Sequence, residues 1–562
     1  MDDYFIYEFK LPIDFLEESY TLDKNVIKDL EIDNDKLSPY HYLTIPEYNK
    51  NSTPNKIHKL LFHKFYNKYT TNVNYLKDMQ KLLQDYTIQL QTDDTYFKEW
   101  KTNIEDKSIL EKHQYITWDH IKFLNTSPKF LQTMTLYNLS SPVFNLFMPL
   151  LFLIFPFFII RFAMKVPITF KNYKETLITQ FKQHAIGKMF DIFSSDIKSN
   201  KKIYILFSIG FYFFTIYQNI LSCIKFYSSI QYINKFLYNT KKHILNTLSK
   251  INYLISIMEV RETFKDYIQY LREKKDQIID LYQQLTHIQK EDFKINNVFS
   301  VGRYLELFYK ITQQENYHKL LFFSFGIDSF ISHLNGIKSL IINKYISKCK
   351  FKKQKTYLSN QYFSPLIYST PIKNSIQIKN SIITGPNASG KTTILKSSML
   401  NIIFSQQIGY GFYDSKTVLS PYHYIHSYIN IPETSERDSL FQAEARRCLD
   451  IIHSIQKHKE KRHFIIFDEL YSGTNSDEAV LIAKSFLKYI QNYKVSYLLT
   501  THFNELTNIE KTKNLYLDVL FNNKEKIFEY TYQLKKGISS IKGGYKVIFD
   551  LGYPQQILNE IK

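Results

Sequence analysis

The sequence predicts an α+β, multidomain chain in which a helical region precedes a C-terminal α/β domain. Three observations predict it. The chain has 562 residues, too many for one compact core and enough for two to four domains. Apolar residues recur at three- and four-residue steps from about Ile57 to Ile116, and again from Tyr227 to about Tyr357, which is the period of amphipathic helices. Beyond residue 358, short apolar runs such as Ile382-Ile383 and Phe464–Phe467 feed stretches of helical pattern, as strands do in α/β units.

Composition narrows the partners. Tyr and Phe each occur 45 times and Gly only 14 times, a drift towards Ile, Lys, Asn, Tyr and Phe that needs no stacking surface to explain it. With 72 basic and 53 acidic residues the formal net charge is +19. That excess favours an anionic partner, nucleic acid or anionic lipid, although the same drift supplies lysine without any partner. Cys223, Cys349 and Cys448 match neither a metal-ligand spacing nor a disulfide framework, so a reducing, intracellular compartment is expected. The opening MDDYFIYEFKLPIDF is acidic and does not resemble a secretory signal peptide.

Along the chain, residues 1–56 read as a small N-terminal region, broken by Pro12, Pro39, Pro46 and Pro54. Residues 57–142 read as helical. Residues 143–226 hold two apolar runs, Val143–Ile160 and Ile203–Ile224. Both are near the length that crosses a bilayer and apolar on more faces than a soluble helix needs. They read as a hairpin, either membrane-embedded or buried in protein. The connection from Lys165 to Lys202 carries eight lysines against Glu175, Asp191 and Asp196. Basic connections stay cytosolic, so two full spans would place the C-terminal domain on the opposite side. Residues 227–357, free of proline, read as long helical arms with charged outer faces. Residues 358–562 form the C-terminal domain.

That domain carries the chemistry. A strand at Ile382-Ile383 runs into Gly385, Pro386, Asn387, Ala388, Ser389, Gly390, Lys391, Thr392 and Thr393, the G-x-x-x-x-G-K-T phosphate loop in its strand–loop–helix setting. Glycines let backbone amides turn towards phosphates. Lys391 can reach the β- and γ-phosphates of ATP, and Thr392 can ligate Mg²⁺. Downstream, the strand FIIFDEL ends in Asp468, placed to hold Mg²⁺, and Glu469, placed as general base on the attacking water. A third strand, VSYLLTTHF, delivers His502 to the same edge as a γ-phosphate sensor.

These motifs resemble the MutS family of ATPases, a branch related to ABC-type ATPases. TGPNASGKTT, IIFDELYSGTNSDEA (with Asp477) and TTHFNEL resemble its nucleotide motifs. DSLFQAEA resembles its S-T-F-x-x-E signature through Ser439, Phe441 and Glu444. SPLIYSTPIKNSIQIKN, with Pro365 and Asn374, resembles its lead-in strands, and GISSIKGGYKVIFDLGYPQQIL its closing segment. The resemblance covers about residues 360–560 and departs at Leu440, where Thr is usual, and at Ser389, which replaces a loop glycine.

The resemblance implies a P-loop, ABC-type domain in a head-to-tail dimer with itself or a related subunit, in which Ser439 faces the γ-phosphate bound by the other subunit. It also implies that residues 227–357 are lever helices. Mismatch-repair members begin with a mismatch reader bearing a Phe-x-Glu wedge. Phe97-Lys98-Glu99 fits that pattern but falls in a helical stretch. The apolar hairpin resembles instead a set of MutS-like proteins with predicted membrane segments. Two active functions therefore stand open: an ATP-driven DNA clamp in the cytosol or nucleus, serving mismatch repair or recombination, and a membrane-anchored ATPase acting through residues 143–224. A catalytically idle structural protein is disfavoured, because every polar role in hydrolysis is filled.

Overall fold

The structure is a computed structural model. It describes residues 9–34, 36, 38–45, 56–89, 94–165, 167, 169–183, 187, 199–290, 299–429, 431, 439–522, 527–539 and 552–560. Most of the closing GISSIKGG motif and much of the lysine-rich connection lie outside the described residues. The chain divides into two compact units: residues 95–246 with 277–320, and residues 1–94 with 247–276 and 321–562.

Among its described residues the first unit is helical. Helix α1 (Pro128–Phe158) starts at Ser127, whose hydroxyl accepts the Phe130 N–H, with proline at the first helical position. It runs on into a π-helical turn, Ile159–Ala163. Helix α2 (Phe170–Gln183) follows, and then the 60-residue α3 (Ser199–Met258). The Cys223 thiol donates to the Asn138 carbonyl at 3.3 Å, which sets α3 beside α1. Helix α4 (Val301–Gln313) lies against the start of α1. A Cβ at Gly302 would stand 2.2 Å from the Pro128 carbonyl oxygen, so only glycine permits that approach. Phe97 and Trp100 are buried on the Thr95–Glu105 helix, and Glu99 accepts from Asn239 Nδ2 at 3.0 Å. Phe97 of the Phe-Lys-Glu triplet is thus part of this unit's core packing, while Lys98 is exposed.

The two apolar runs differ from an ordinary core. Phe207, Phe211, Phe213 and Phe214 on α3, and Phe155, Phe158 and Phe162 at the far end of α1, are exposed. Helix α5 (Glu315–Ile342) is a useful contrast. By length and composition it could equally cross a membrane, yet 94% of its most apolar window is buried, against 6% for α3. It is a core helix.

The second unit is built on a six-stranded sheet. Its strands are β1 (Ser381–Thr384), β2 (Tyr424–Tyr428), β3 (His463–Asp468), β4 (Val495–Thr500), β5 (Lys513–Asn522) and β6 (Ile527–Lys536), in the order β2-β3-β4-β1-β5-β6. All neighbours are parallel except β5 and β6. Continuous apolar runs such as Phe464–Phe467, buried at every position, suit parallel strands covered on both faces. Helix α6 (Lys391–Ile408) follows β1 and is buried at every position from Ser397 onward. Helix α7 (Leu440–Lys457) and the Ser476–Ile490 helix complete the cover.

The helical pattern ends earlier than the sequence suggests. After Ile342 the chain turns through Lys344 at φ +58°. Ser347–Lys348 then pairs with Tyr410–Gly411, and Lys350–Phe351 with Val418–Leu419. The lysines of KCKFKKQK imitate a solvated helix face, whereas Ile346 and Cys349, flanking these short strands, are buried.

The N-terminal residues of this unit lie against α6. Tyr40 donates to Gln407 Oε1 at 2.6 Å. Gln80 donates to the carbonyls of Cys349 (2.8 Å) and Gly409 (2.6 Å). Asp29 accepts from the Ser427 hydroxyl at 2.7 Å, and burial raises its pKa despite Arg447 nearby.

Candidate functional site

The carboxyl ends of β1, β3 and β4 meet at one edge of the sheet, where open parallel sheets place ligands. From β1 the chain passes through Gly385–Ser389 to Gly390, which caps α6 at φ +96°. That left-handed conformation favours glycine, and a Cβ there would also press on the Tyr532 ring at 3.2 Å.

Lys391 opens the helix with its ammonium buried over this loop, donating to the Gly385 carbonyl at 2.8 Å. Burial lowers its pKa, while Glu469 and Asp468 pull the other way. Thr392 donates to Asp468 Oδ2 at 2.6 Å, and Thr500 donates to Asp468 Oδ1. Asp468 is thereby oriented by a hydroxyl from the helix and one from the neighbouring strand.

Glu469 follows at φ +57°. Its Oε1 lies 2.7 Å from His502 Nε2 and 3.9 Å from Lys391 Nζ. A carboxylate can only accept, so the imidazole proton is assigned to Nε2, donating to Glu469. Lys391 Nζ, 3.2 Å from the same nitrogen, then directs its hydrogens to the loop carbonyls. The bond from His502 lowers the Glu469 pKa; partial burial opposes it, and the charges of His502 and Lys391 add to the lowering.

Lys391, Thr392, Asp468, Glu469 and His502, drawn from three separate sequence motifs, thus form one network. Ser439 is not part of it. It caps α7, accepting the Gln442 N–H in a reciprocal capping box. Glu444, one turn further on, is buried and accepts from Ser472 N (3.1 Å), Ser472 Oγ (2.9 Å) and Gly473 N (3.1 Å). The signature helix is thereby tied to the loop that leaves Glu469. Asn475 Oδ1 receives the Asp477 N–H at 3.1 Å and caps the next helix.

A cavity of about 660 Å³ opens on this network, lined by residues 386–394 and Glu469 on one side and by Tyr362, Phe363, Ile372, Asn374 and Tyr532 on the other. Its volume falls in the range of cofactor sites. The aromatic wall is absent from the sequence expectations. Only Asn374 in the lead-in motif signals it, through bonds to the Tyr532 carbonyl (2.9 Å) and from the Leu534 N–H (2.7 Å).

The donor set fits a magnesium nucleotide. A buried ammonium and the buried Ser389 hydroxyl, which has no hydrogen-bond partner among the described residues, suit a phosphate. The Thr392 hydroxyl and the Asp468 carboxylate are hard oxygen ligands for Mg²⁺, which takes few protein ligands when phosphates complete its shell.

Comparison with known proteins agrees with this geometry. The family model for MutS domain V matches residues 381–562. Endonuclease MutS2 of Staphylococcus carnosus (strain TM300) is 27% identical over 224 residues, covering 38% of this chain and 28% of that protein. Endonuclease MutS2 of Staphylococcus aureus strain JH9 is 27% identical over 218 residues, covering 38% and 27%. The strain bovine RF122 protein of the same name is 28% identical over 218 residues. The matched stretch is therefore less than a third of these relatives' length. Through residues 381–562, the stretch that matches MutS domain V, the chain is similar to MutS-family proteins.

Proposed function

We propose that the chain is an ATPase of a DNA-handling MutS-like dimer. The convergence of Lys391, Thr392, Asp468, Glu469 and His502 at the mouth of the aromatic-walled cavity carries this reading. Lys391 and the backbone N–H groups of residues 387–392 bind the β- and γ-phosphates. Thr392 and Asp468 hold Mg²⁺, which neutralises charge on the phosphate oxygens when bound. Glu469 takes a proton from water as its oxygen attacks the γ-phosphorus, and the bond to the ADP oxygen breaks. His502 orients Glu469 and contacts the γ-phosphate.

DNA as partner is supported by the family and by the +19 charge, since basic side chains track phosphates without a specific motif. The endonuclease activity named for the relatives is not carried over, because less than a third of their length is matched. In a head-to-tail pair, Ser439 on its exposed helix start completes the partner's γ-phosphate site. The reading of the helical part of residues 227–357 as levers is part of this proposal.

The test is the ATPase rate of the full chain titrated with duplex DNA at several salt concentrations. Several-fold stimulation that fades with salt is expected. A rate indifferent to DNA at low salt would remove the DNA partner and leave the ATPase. Ser439→Arg is expected to abolish turnover while each subunit still binds nucleotide; unchanged turnover would remove the shared site.

A further inference from the structure

Among the described residues, the largest unexplained feature is the bare apolar surface of α3 and of Ile154, Phe155 and Phe158 at the far end of α1. On α3, Ile203, Tyr204, Leu206, Phe207, Phe211 and Phe214 are all at least half exposed, and exposure continues through Tyr217 and Ile220 to Ile224. At 100° per residue these positions sweep roughly 200° of the helix circumference. A helix docking on a protein, including a second copy, covers a stripe of about 100°. A surface this wide is matched by a solvent rather than by a single partner face, and the solvent of apolar surface is lipid.

Length and flanks agree. No charged residue occurs between Ile203 and Ile224, or between Leu139 and Ile160. Each stretch is about 33 Å long at 1.5 Å per residue, against a hydrocarbon thickness of about 30 Å. The contact of Cys223 with the Asn138 carbonyl puts the start of one stretch level with the end of the other. At that level stand the exposed rings of Tyr137 and Tyr227, a residue type that settles at membrane–water boundaries. The opposite end carries Arg161, Lys165 and Lys202, cations suited to headgroup phosphates. There α2, with Lys171, Lys174 and Lys182, meets α1 through Phe157 against Phe170 and Tyr173 at 5.5 and 5.3 Å.

We propose that α1 and α3 form a hairpin embedded in the hydrocarbon of a lipid bilayer, with Tyr137 and Tyr227 at one headgroup boundary and Arg161, Lys165 and Lys202 at the other. The proposal is independent of whether the ATPase acts on DNA.

The experiment is reconstitution of the full chain into vesicles of phosphatidylcholine alone and of phosphatidylcholine with phosphatidylglycerol. Protein is expected to float with both and to resist 1 M salt and alkaline carbonate. The triple variant Phe207→Asp, Phe211→Asp, Phe214→Asp is expected to float at least tenfold less while its ATPase rate in detergent is unchanged. Fluorescence supplies a second reading, because Trp100 is fully buried and Trp118, 71% exposed, can be removed as Trp118→Phe. In that background Phe213→Trp, midway between Ile203 and Ile224, should be quenched more by lipids brominated at the chain ends than by lipids brominated near the headgroup. Binding confined to anionic vesicles and reversed by salt, a monodisperse protein in the absence of detergent, or no quenching by either lipid would each overturn the proposal.

Discussion

Glu469 occupies a backbone conformation that few non-glycine residues adopt, with φ +57°, at a cost on the order of 1–3 kcal/mol. Two bonds hold it there: its own N–H to the Thr500 carbonyl at 3.1 Å, and its carboxylate to His502 at 2.7 Å. The result is a carboxylate aimed at the cavity from the tip of β3. Glu469→Gln keeps the shape and removes the base. It should retain nucleotide binding and lose turnover by on the order of 10²-fold or more, which filter binding and single-turnover hydrolysis separate. The pH dependence follows from the direction of the pKa shift. His502 lowers the Glu469 pKa, so the base is ionised above that value and is lost as pH falls through it. Removing the donor in His502→Ala should move the acid limb of the pH–rate profile to higher pH. A limb that stays in place, at whatever amplitude, would show that His502 does not set this pKa.

At the scale of elements, the site depends on α7 gripping the loop after β3. Glu444 alone receives three donors from Ser472 and Gly473, and a Cβ on Gly473 would strike Leu440 at 2.8 Å. Leu440 departs from the usual threonine of the family signature, and here it packs on this glycine. Glu444→Ala leaves three donors without their acceptor and should cost about 2–3 kcal/mol, read as a lower thermal midpoint together with a slower ATPase. An unchanged midpoint would mean that the loop is held by other contacts. The strands and phosphate loop were legible because each is a local pattern: an apolar run, then glycine, lysine and hydroxyl at fixed spacing. Tyr362, Phe363 and Tyr532 were not, since they come from segments far apart in sequence and meet through the pairing of residues 357–361 with 374–377 and the bonds of Asn374 to residues 532 and 534. The capping role of Ser439 is local and legible. Its action on a second subunit rests on family resemblance alone.

At the scale of the whole molecule, residues 358–562 read in the sequence as a separable domain, while the structure groups them with residues 1–94. The reason lies in α6. Gln406 and Gln407 resemble surface residues in the sequence, but both are buried. Gln406 donates to the Thr70 carbonyl at 3.2 Å and the Tyr422 carbonyl at 2.8 Å. Gln407 donates to the carbonyls of Tyr66 (3.0 Å) and Lys68 (2.9 Å). At Gly409, φ is +76° and a Cβ would stand 2.5 Å from Gln80. Pairings across more than 300 residues leave no periodic trace, so composition and period could not reveal them. Residues 358–562 expressed alone would bare this face of α6. Gln407 loses the carbonyls of Tyr66 and Lys68 and Gln406 that of Thr70, at about 1 kcal/mol for each hydrogen bond, and Phe404, parted from Tyr40, adds apolar surface at about 25 cal/mol per Å². Set against a typical margin of about 5–15 kcal/mol for a whole domain, these losses predict that the isolated fragment aggregates or lacks a cooperative melting transition. The same fragment joined to residues 1–94 should regain one. A monodisperse 358–562 fragment with a sharp transition would show that the nucleotide domain carries its own core and that the N-terminal residues only decorate it.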